Sequence, residues 1–426
     1  MTKAAESFRD TAGSIRAGWR VVLASIFGLA LGPSVILMMC FGVFAPALAT
    51  EFGWGIGAIS LGATIISLVL AALSPVQGRL VDRYGSRRVI LLSMPLFGLG
   101  ILALSQLNGD LRVYYGACGL VALLALGVWP TSYMTIVSTW FDRRLGLALG
   151  SANVGPGLGG ALVPVLIGAV MTAYDWRTAY LVLGLLVLFV VLPAAFVWLR
   201  ENPRVLTSCA SDAVPAGMPL REVYRDRSFW MLAAAFTALG MLSSGILIHQ
   251  VNILIDHRMT RGAAIGLQSV LGAASIVGRL LAGWLLDRLH VARLMLAILL
   301  AAAGACLLYA SPATGPVLVF GAATFGFVIG AEFDALGFAI RRYHGLAAFG
   351  SIFGLIFGMF SIGGAIGAAL MGILRDATGA YTAGLYILAG MSVFSGVVLA
   401  RLGPYRFRRS DAPAAEPIIA AGSAAA

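Results

Sequence analysis

Along this chain, long apolar runs alternate with short stretches that gather nearly all of the charge. A helix needs about 20 mostly apolar residues to cross the hydrocarbon core of a bilayer. Twelve runs reach that length: 20–47, 55–78, 88–106, 112–138, 145–172, 178–199, 229–254, 263–286, 292–310, 315–340, 347–372 and 381–402. They are continuous, whereas strands of a membrane barrel would alternate in hydropathy over about ten residues. The pattern predicts an all-α membrane protein with twelve transmembrane helices. Composition agrees, with 60% apolar and 11% charged residues, against about 25% charged in soluble domains. A soluble chain so poor in charge would leave a large apolar surface in water.

The polar connections predict the organisation. The longest, 200–228, holds Pro203, Pro215 and Pro219 and reads as a cytoplasmic linker between two six-helix bundles, 20–199 and 229–402. Residues 1–19 form a polar N-terminal segment without the shape of a secretory signal. Residues 403–426 form a tail expected to be disordered. With the N-terminus inside, the inner connections carry 23 of the 29 basic residues, the outer ones carry 5, and the remaining one, Arg279, lies within a helix. Basic residues concentrate on the cytoplasmic side of membrane proteins. Both termini are therefore expected in the cytoplasm, and the protein in the cytoplasmic (inner) membrane.

The net charge of +11 does not imply a nucleic-acid partner, because the arginines sit at segment ends and form no basic domain. Cys40, Cys118, Cys209 and Cys306 include no CxxC pair, so neither a disulfide framework nor a metal site is expected. No nucleophile–base arrangement or phosphate-binding loop points to an enzyme. No cofactor is expected, and the expected state is a monomer.

One stretch departs from the sparing use of charge: "GRLVDRYGSRR", Gly78–Arg88. A thinner copy, "GWLLDRLHVAR", runs from Gly283 to Arg293. Gly-x-x-x-Asp-Arg thus recurs 205 residues later (78 to 283, 82 to 287), in the same place in each half. That spacing implies two parallel six-helix repeats, pseudo-symmetric about an axis along the membrane normal, around a central cavity.

At these residues the chain resembles the major facilitator superfamily. The family's loop signature stands here as Gly78, Asp82, Arg83, Gly85, Arg87 and Arg88, and its second copy keeps Gly283, Asp287 and Arg288. The resemblance spans about residues 18–403. It implies that this loop acts as a conformational latch between the halves on the cytoplasmic side. Finer features resemble the monocarboxylate and oxalate/formate porter branch: "GWRVV" from Gly18, "SIVGRLLAGWLLDR" around Arg279, and "GAEFDALGFAIRRYHGLAAFGSIFG" from Gly330. In that branch the arginine of the eighth helix binds the substrate carboxylate, and Arg279 occupies the matching place. Two departures bear on coupling. Ser275 stands where some members have an acid, and the eleventh helix lacks the lysine that some members carry there.

Depth along the helices selects further candidates. Arg279 lies eight residues from Asp287, about 12 Å from the inner face at 1.5 Å per residue, close to the midplane. Its planar fork can hold a carboxylate by two parallel hydrogen bonds; the competing role is an ion pair with an acid of the tenth helix. Glu332 lies at a similar depth and Asp334 slightly lower. Two residues apart on a helix is about 200°, so at most one of them faces the central cavity. Glu332 is the favoured proton carrier and Asp334 the alternative.

The same ruler places Tyr133 and Asn153 at about 13 Å, so Tyr133, Asn153, Arg279 and Glu332 are expected to form one midplane layer. Plain helix–helix hydrogen bonding is the competing role for the first two. His249, in the outer third of the seventh helix, completes the substrate-binding candidates, although a lone histidine is more often structural. "SANVGPGLGG", Ser151–Gly160, resembles the glycine–proline motif of drug/proton antiporters and implies close packing and a bend.

The leading expectation is a secondary transporter for a small, monocarboxylate-like organic anion, working by alternating access and coupled to protons. Proton-driven drug efflux is the alternative. A non-transporting membrane sensor is a third reading, which would need a partner protein to carry its output.

Overall fold

A computed structural model describes residues 17–142, 144–202 and 217–407. Arg143, Cys209, most of the linker, the start of the N-terminal segment and the tail beyond 407 lie outside the described residues. Among the described residues there is no strand, eleven helices are long and apolar enough to cross a membrane, and two shorter helices complete a set of twelve crossings. They are α1 (Ala17–Met39, continued as Phe41–Phe52), α2 (Ile56–Tyr84), α3 (Ser86–Leu104), α4 (Leu111–Leu124 and Pro130–Trp140), α5 (Leu145–Ala173) and α6 (Trp176–Trp198) in the first half. The second half holds α7 (Arg227–Asp256), α8 (Arg261–Leu286), α9 (Val291–Ala310), α10 (Pro316–Tyr343), α11 (Phe349–Thr378) and α12 (Thr382–Ala400).

Two crossings expected to be continuous are broken, for local reasons. In α4, Pro130 brings no N–H and disfavours helical geometry at the preceding residue. Trp129 is accordingly extended (φ −74°, ψ 162°) and the helix restarts at Pro130. A polar group freed at the break is retained by α2, where Gln77 donates to the Trp129 carbonyl and to the Ser132 hydroxyl. In α1, a π turn at Ser34–Met39 follows Pro33.

The charged stretch at 78–88 also differs from expectation. It is not a loop: α2 stays helical through Tyr84, and the connection to α3 is Gly85 alone. Gly85 has φ +83°, a left-handed value that a residue with a Cβ rarely takes, so glycine makes the one-residue turn possible. Glu201 then accepts from the backbone N–H of Arg87 at 2.8 Å, satisfying one of the unpaired donors at the start of α3.

Both described chain ends lie on one face, here the terminal face. Gly18 packs at Phe141, Arg342 donates to the side chain and carbonyl of Asp142, and Phe407 N–H bonds to the Arg342 carbonyl. The halves join here through two related contacts. The Asp82 carboxylate, on α2, accepts from the backbone N–H groups of Gly350 and Ser351 at the start of α11, at 2.8 and 2.7 Å. The Asp287 carboxylate, after α8, accepts from Gly146 and Leu147 at the start of α5, at 2.9 and 3.0 Å.

Glycines let the backbones come close enough for this. A Cβ on Gly78 would lie 2.2 Å from the Gly350 carbonyl oxygen, and one on Gly146 would lie 2.2 Å from that of Gly283. Both the helix N-terminus and the two charge-assisted bonds favour a carboxylate there. Each contact contributes on the order of 2 kcal/mol.

The start of the C-terminal segment differs from the disordered tail expected from 403. The Gly403 carbonyl accepts from Tyr343, the Tyr405 hydroxyl accepts from the N–H of Val291, and its ring stacks on His290. Arg406 pairs with Asp226 at 2.8 Å. Asp226 also meets buried His344 at 3.3 Å, and Met218 from the linker donates to the His344 carbonyl. The strap thus ties the linker, the start of α7 and the α10–α11 turn together.

Two outcomes follow. Asp82→Ala should shift the closed-to-open ratio at the terminal face toward open by about tenfold or more, since 1.4 kcal/mol is a factor of ten. Faster maleimide labelling of a Ser351→Cys reporter, in a Cys209→Ser background, reads that shift; an unchanged rate would deny the contact its role. The second outcome concerns His344, whose imidazole is pushed from 6.5 down to about 4, chiefly by burial and further by Arg406, against the pull of Asp226. The unfolded chain binds this proton more readily, so the contribution to stability is complete above about pH 6.5 and is lost as pH falls toward 4. Thermal unfolding of the solubilised protein should decline over that window, and His344→Gln should flatten the decline.

Candidate functional site

The midplane of the second half is assembled by glycine contacts between α8 and α10. A Cβ on Gly330 would lie 2.3 Å from the Ser275 carbonyl oxygen, and one on Gly326 would lie 2.2 Å from that of Leu271. The first half joins through Gly150 of α5, where a Cβ would meet the Arg279 carbonyl oxygen at 2.3 Å and the Asp334 carboxylate at 3.2 Å. Three helices therefore meet at backbone distance around Arg279.

Arg279 is only 8% exposed. Among the described residues its guanidinium has no ion pair, and its buried Nε has no hydrogen bond. Its charge acts on both Asp334 and Glu332. An arginine within a bilayer costs at least about 2.5–3.5 kcal/mol, so this placement demands a compensating anion.

The two α10 acids are buried, Glu332 at 3% and Asp334 at 0% exposure, and they point to different neighbours, as their angular separation requires. Glu332 accepts from Ser243 of α7 at 2.7 Å, within its own half. Asp334 accepts from Asn153 of α5 at 2.5 Å, across the halves. Its other oxygen, Oδ2, is buried without a hydrogen-bond partner.

The structure therefore gathers Asn153, Arg279, Glu332 and Asp334 at one level. Tyr133 connects only through its neighbour Met134, whose sulfur lies 3.2 Å from Asn153 Nδ2. The Tyr133 hydroxyl is buried at Gly28 of α1 and has no hydrogen-bond partner. His249 lies away from this group. Its imidazole meets the Ala368 carbonyl at 3.0 Å and the Tyr381 hydroxyl at 3.4 Å.

Within "SANVGPGLGG", Gly155 and Gly159 pack on the α1 carbonyls of Ile26 and Ala30, so the motif serves helix packing. Of the charged stretches, Asp82 and Asp287 make the inter-half contacts. Arg83 and Arg288 instead lie over the rings of Tyr84 and Trp284.

Sequence reasoning missed three residues. Ser243, the partner of Glu332, is one serine among many on apolar helices and carries no signal. Arg342 and Asp142 form a cross-half pair, yet each reads as an ordinary basic or acidic residue at a helix end. Arg342 is 3% exposed, a fact that only the fold reveals.

The family model described as Major Facilitator Superfamily matches residues 27–357. The chain belongs to the Major Facilitator Superfamily. It is thus a multi-pass membrane transporter and not an enzyme. Its relatives include monocarboxylate transporter 13 of Rattus norvegicus, 30% identical over 88% of this chain and 88% of that protein. Monocarboxylate transporter 11 of Homo sapiens is 29% identical over 90% of this chain and 83% of its own length.

Among solved structures, the superfamily transporter FucP in the outward conformation aligns with a TM-score of 0.69 at 18% identity, over 89% of this chain and 97% of that one. The human organic anion transporter MFSD10 (TETRAN) aligns at 0.67 and 17% identity, over 90% and 99%. At these identities the likeness establishes the fold: the twelve-helix, two-domain architecture of the superfamily.

The Asn153–Asp334 bond is the buried link between the halves at this level. Asn153→Ala leaves a buried carboxylate oxygen without its donor, at a cost of about 1–3 kcal/mol. Transport turnover should fall by about tenfold or more, while Ser243→Ala, which acts within one half, should have the smaller effect on the rate of alternation. Equal losses would remove the distinction drawn between Asp334 and Glu332.

Proposed function

We propose that this superfamily member carries a small organic monocarboxylate, with protons, across the membrane by alternating access. One observation carries the reading: a buried midplane arginine, Arg279, with no ion pair among the described residues, beside two buried carboxylates. A carboxylate substrate can take the two-bond position on the guanidinium fork that neither buried acid occupies among the described residues. The named monocarboxylate transporters among its relatives support the substrate class.

Charge balance gives the coupling. Arg279 with ionised Glu332 and Asp334 sums to −1, and an incoming carboxylate makes −2. In a low-dielectric site that excess is costly, so the anion enters together with a proton on one of the acids. Sequence alone favoured Glu332. Geometry favours Asp334 as the carrier, because its partner Asn153 belongs to the other half, so its surroundings change when the halves part. The partner of Glu332, Ser243, belongs to the same half, so parting of the halves does not by itself separate them. The basic excess supports a cytoplasmic terminal face, and on that reading its closure through Asp82 and Asp287 corresponds to the state that receives substrate from outside.

The test is uptake of labelled carboxylates into proteoliposomes with an imposed inward proton gradient. One acid should accumulate with the wild-type protein. Arg279→Ala should abolish its uptake, and Arg279→Lys should lower it by about a hundredfold, a point charge replacing a fork. Asp334→Asn should retain exchange of that acid across the membrane while losing gradient-driven accumulation. Transport indifferent to Arg279→Ala would sink the proposal and turn attention to export of lipophilic compounds.

A further inference from the structure

A second charged space lies outside the midplane site. On the terminal face, a cavity of about 730 Å³ is lined from the first half by Arg83, Arg87, Arg88 and Arg200, and from the second half by Leu346 and Ala347. It adjoins the contact of Asp82 with Gly350 and Ser351.

Its electrostatics are one-sided. The two carboxylates on its wall are already engaged, Asp82 by the start of α11 and Glu201 by the start of α3. Each faces the partial positive charge of a helix N-terminus, which offsets part of its own. The four guanidiniums outnumber the two carboxylates, although Glu201 also faces those of Arg87 and Arg88. Arg87 gives one NH group to the Phe196 carbonyl, and its buried Nε has no hydrogen-bond partner among the described residues. A crevice with low-dielectric walls focuses such a field and concentrates counter-ions.

Membrane topology accounts for basic residues on this face, but not for four of them around one inter-half cavity. We infer that this cavity is an anion vestibule, a second and weaker binding site that collects the carboxylate-bearing substrate at the terminal face. The inference rests on the organic-anion reading for the identity of its occupant. The chemistry it recognises is a single anionic group, carboxylate or phosphate, with room for an organic body against Leu346 and Ala347.

The test reads the vestibule directly, without transport. An Ala347→Cys reporter, in a Cys209→Ser background, is labelled from the terminal face with anionic and cationic thiosulfonate reagents of equal size. The anionic reagent should react about tenfold faster relative to the cationic one than it does with a free thiol. Arg200→Gln should cut that excess about threefold, Arg88→Gln likewise, and Arg200→Lys should restore it. Among the described residues the Arg200 side chain makes no hydrogen bond or ion pair, and its carbonyl, which accepts from Trp140, is unchanged by these substitutions. Lactate or benzoate should protect the cysteine, and a cationic amine should not.

Equal rates for the two reagents, or an excess indifferent to both arginines, would overturn the vestibule. Protection by phosphate-headgroup lipid added to a neutral bilayer, with none by the acids, would assign the space to lipid and overturn its role for substrate. Failure of the organic-anion reading would appear separately, as an absence of carboxylate uptake in proteoliposomes with the reagent preference intact and no protection by either acid.

Discussion

The structure turns on a carboxylate seated on the N-terminus of a helix that belongs to the opposite half. Asp82 does this for α11 and Asp287 for α5. Lipid supplies no hydrophobic drive for helices to associate, so packing and hydrogen bonds must hold the two bundles together. Such contacts suit a reversible junction, because a helix N-terminus and a carboxylate at the membrane surface can each be hydrated if they part. Gly78, Gly146, Gly283 and Gly350 allow it by bringing the backbones within reach. A side chain at any of them would hold the carboxylate away from its donors.

The midplane group depends on the same closure. Gly150 sets α5 against the Arg279 carbonyl, and Asn153, one turn further along, reaches Asp334. The polar groups are thus divided between contacts within the second half, such as Glu332 with Ser243, and the contact of Asp334 with Asn153, which joins the two halves. Such a division lets occupancy of one site bias the geometry of the whole molecule, because a ligand shifts an equilibrium by as much as its affinities for the two states differ.

Much of this was legible in the chain. Apolar run length marks the twelve crossings, and the repeat at 78 and 283 marks the two halves. The depth ruler put Asn153, Arg279 and Glu332 at one level, because rise per residue is nearly constant in a helix. What it could not supply was rotation. Tyr133 has a suitable depth but is turned toward Gly28, and His249 is turned toward α11 and α12. The partner of each acid on α10 depends on which helices flank it, and that is decided by glycine contacts among non-adjacent helices. The second helix runs past the end of its apolar run at 78 to Tyr84 for a related reason: an arginine or aspartate continues a helix readily once its head reaches the surface.

The strap at 403–407 bears on how the molecule is made. Asp226 precedes Arg406 by 180 positions. At about 5–20 residues per second of synthesis, a nascent chain waits on the order of 10–40 seconds between exposing that aspartate and delivering its arginine. Throughout that interval the start of α7 and the α10–α11 turn lack their last fastening. The second bundle therefore completes its terminal face only after its last helix, α12, has been synthesised.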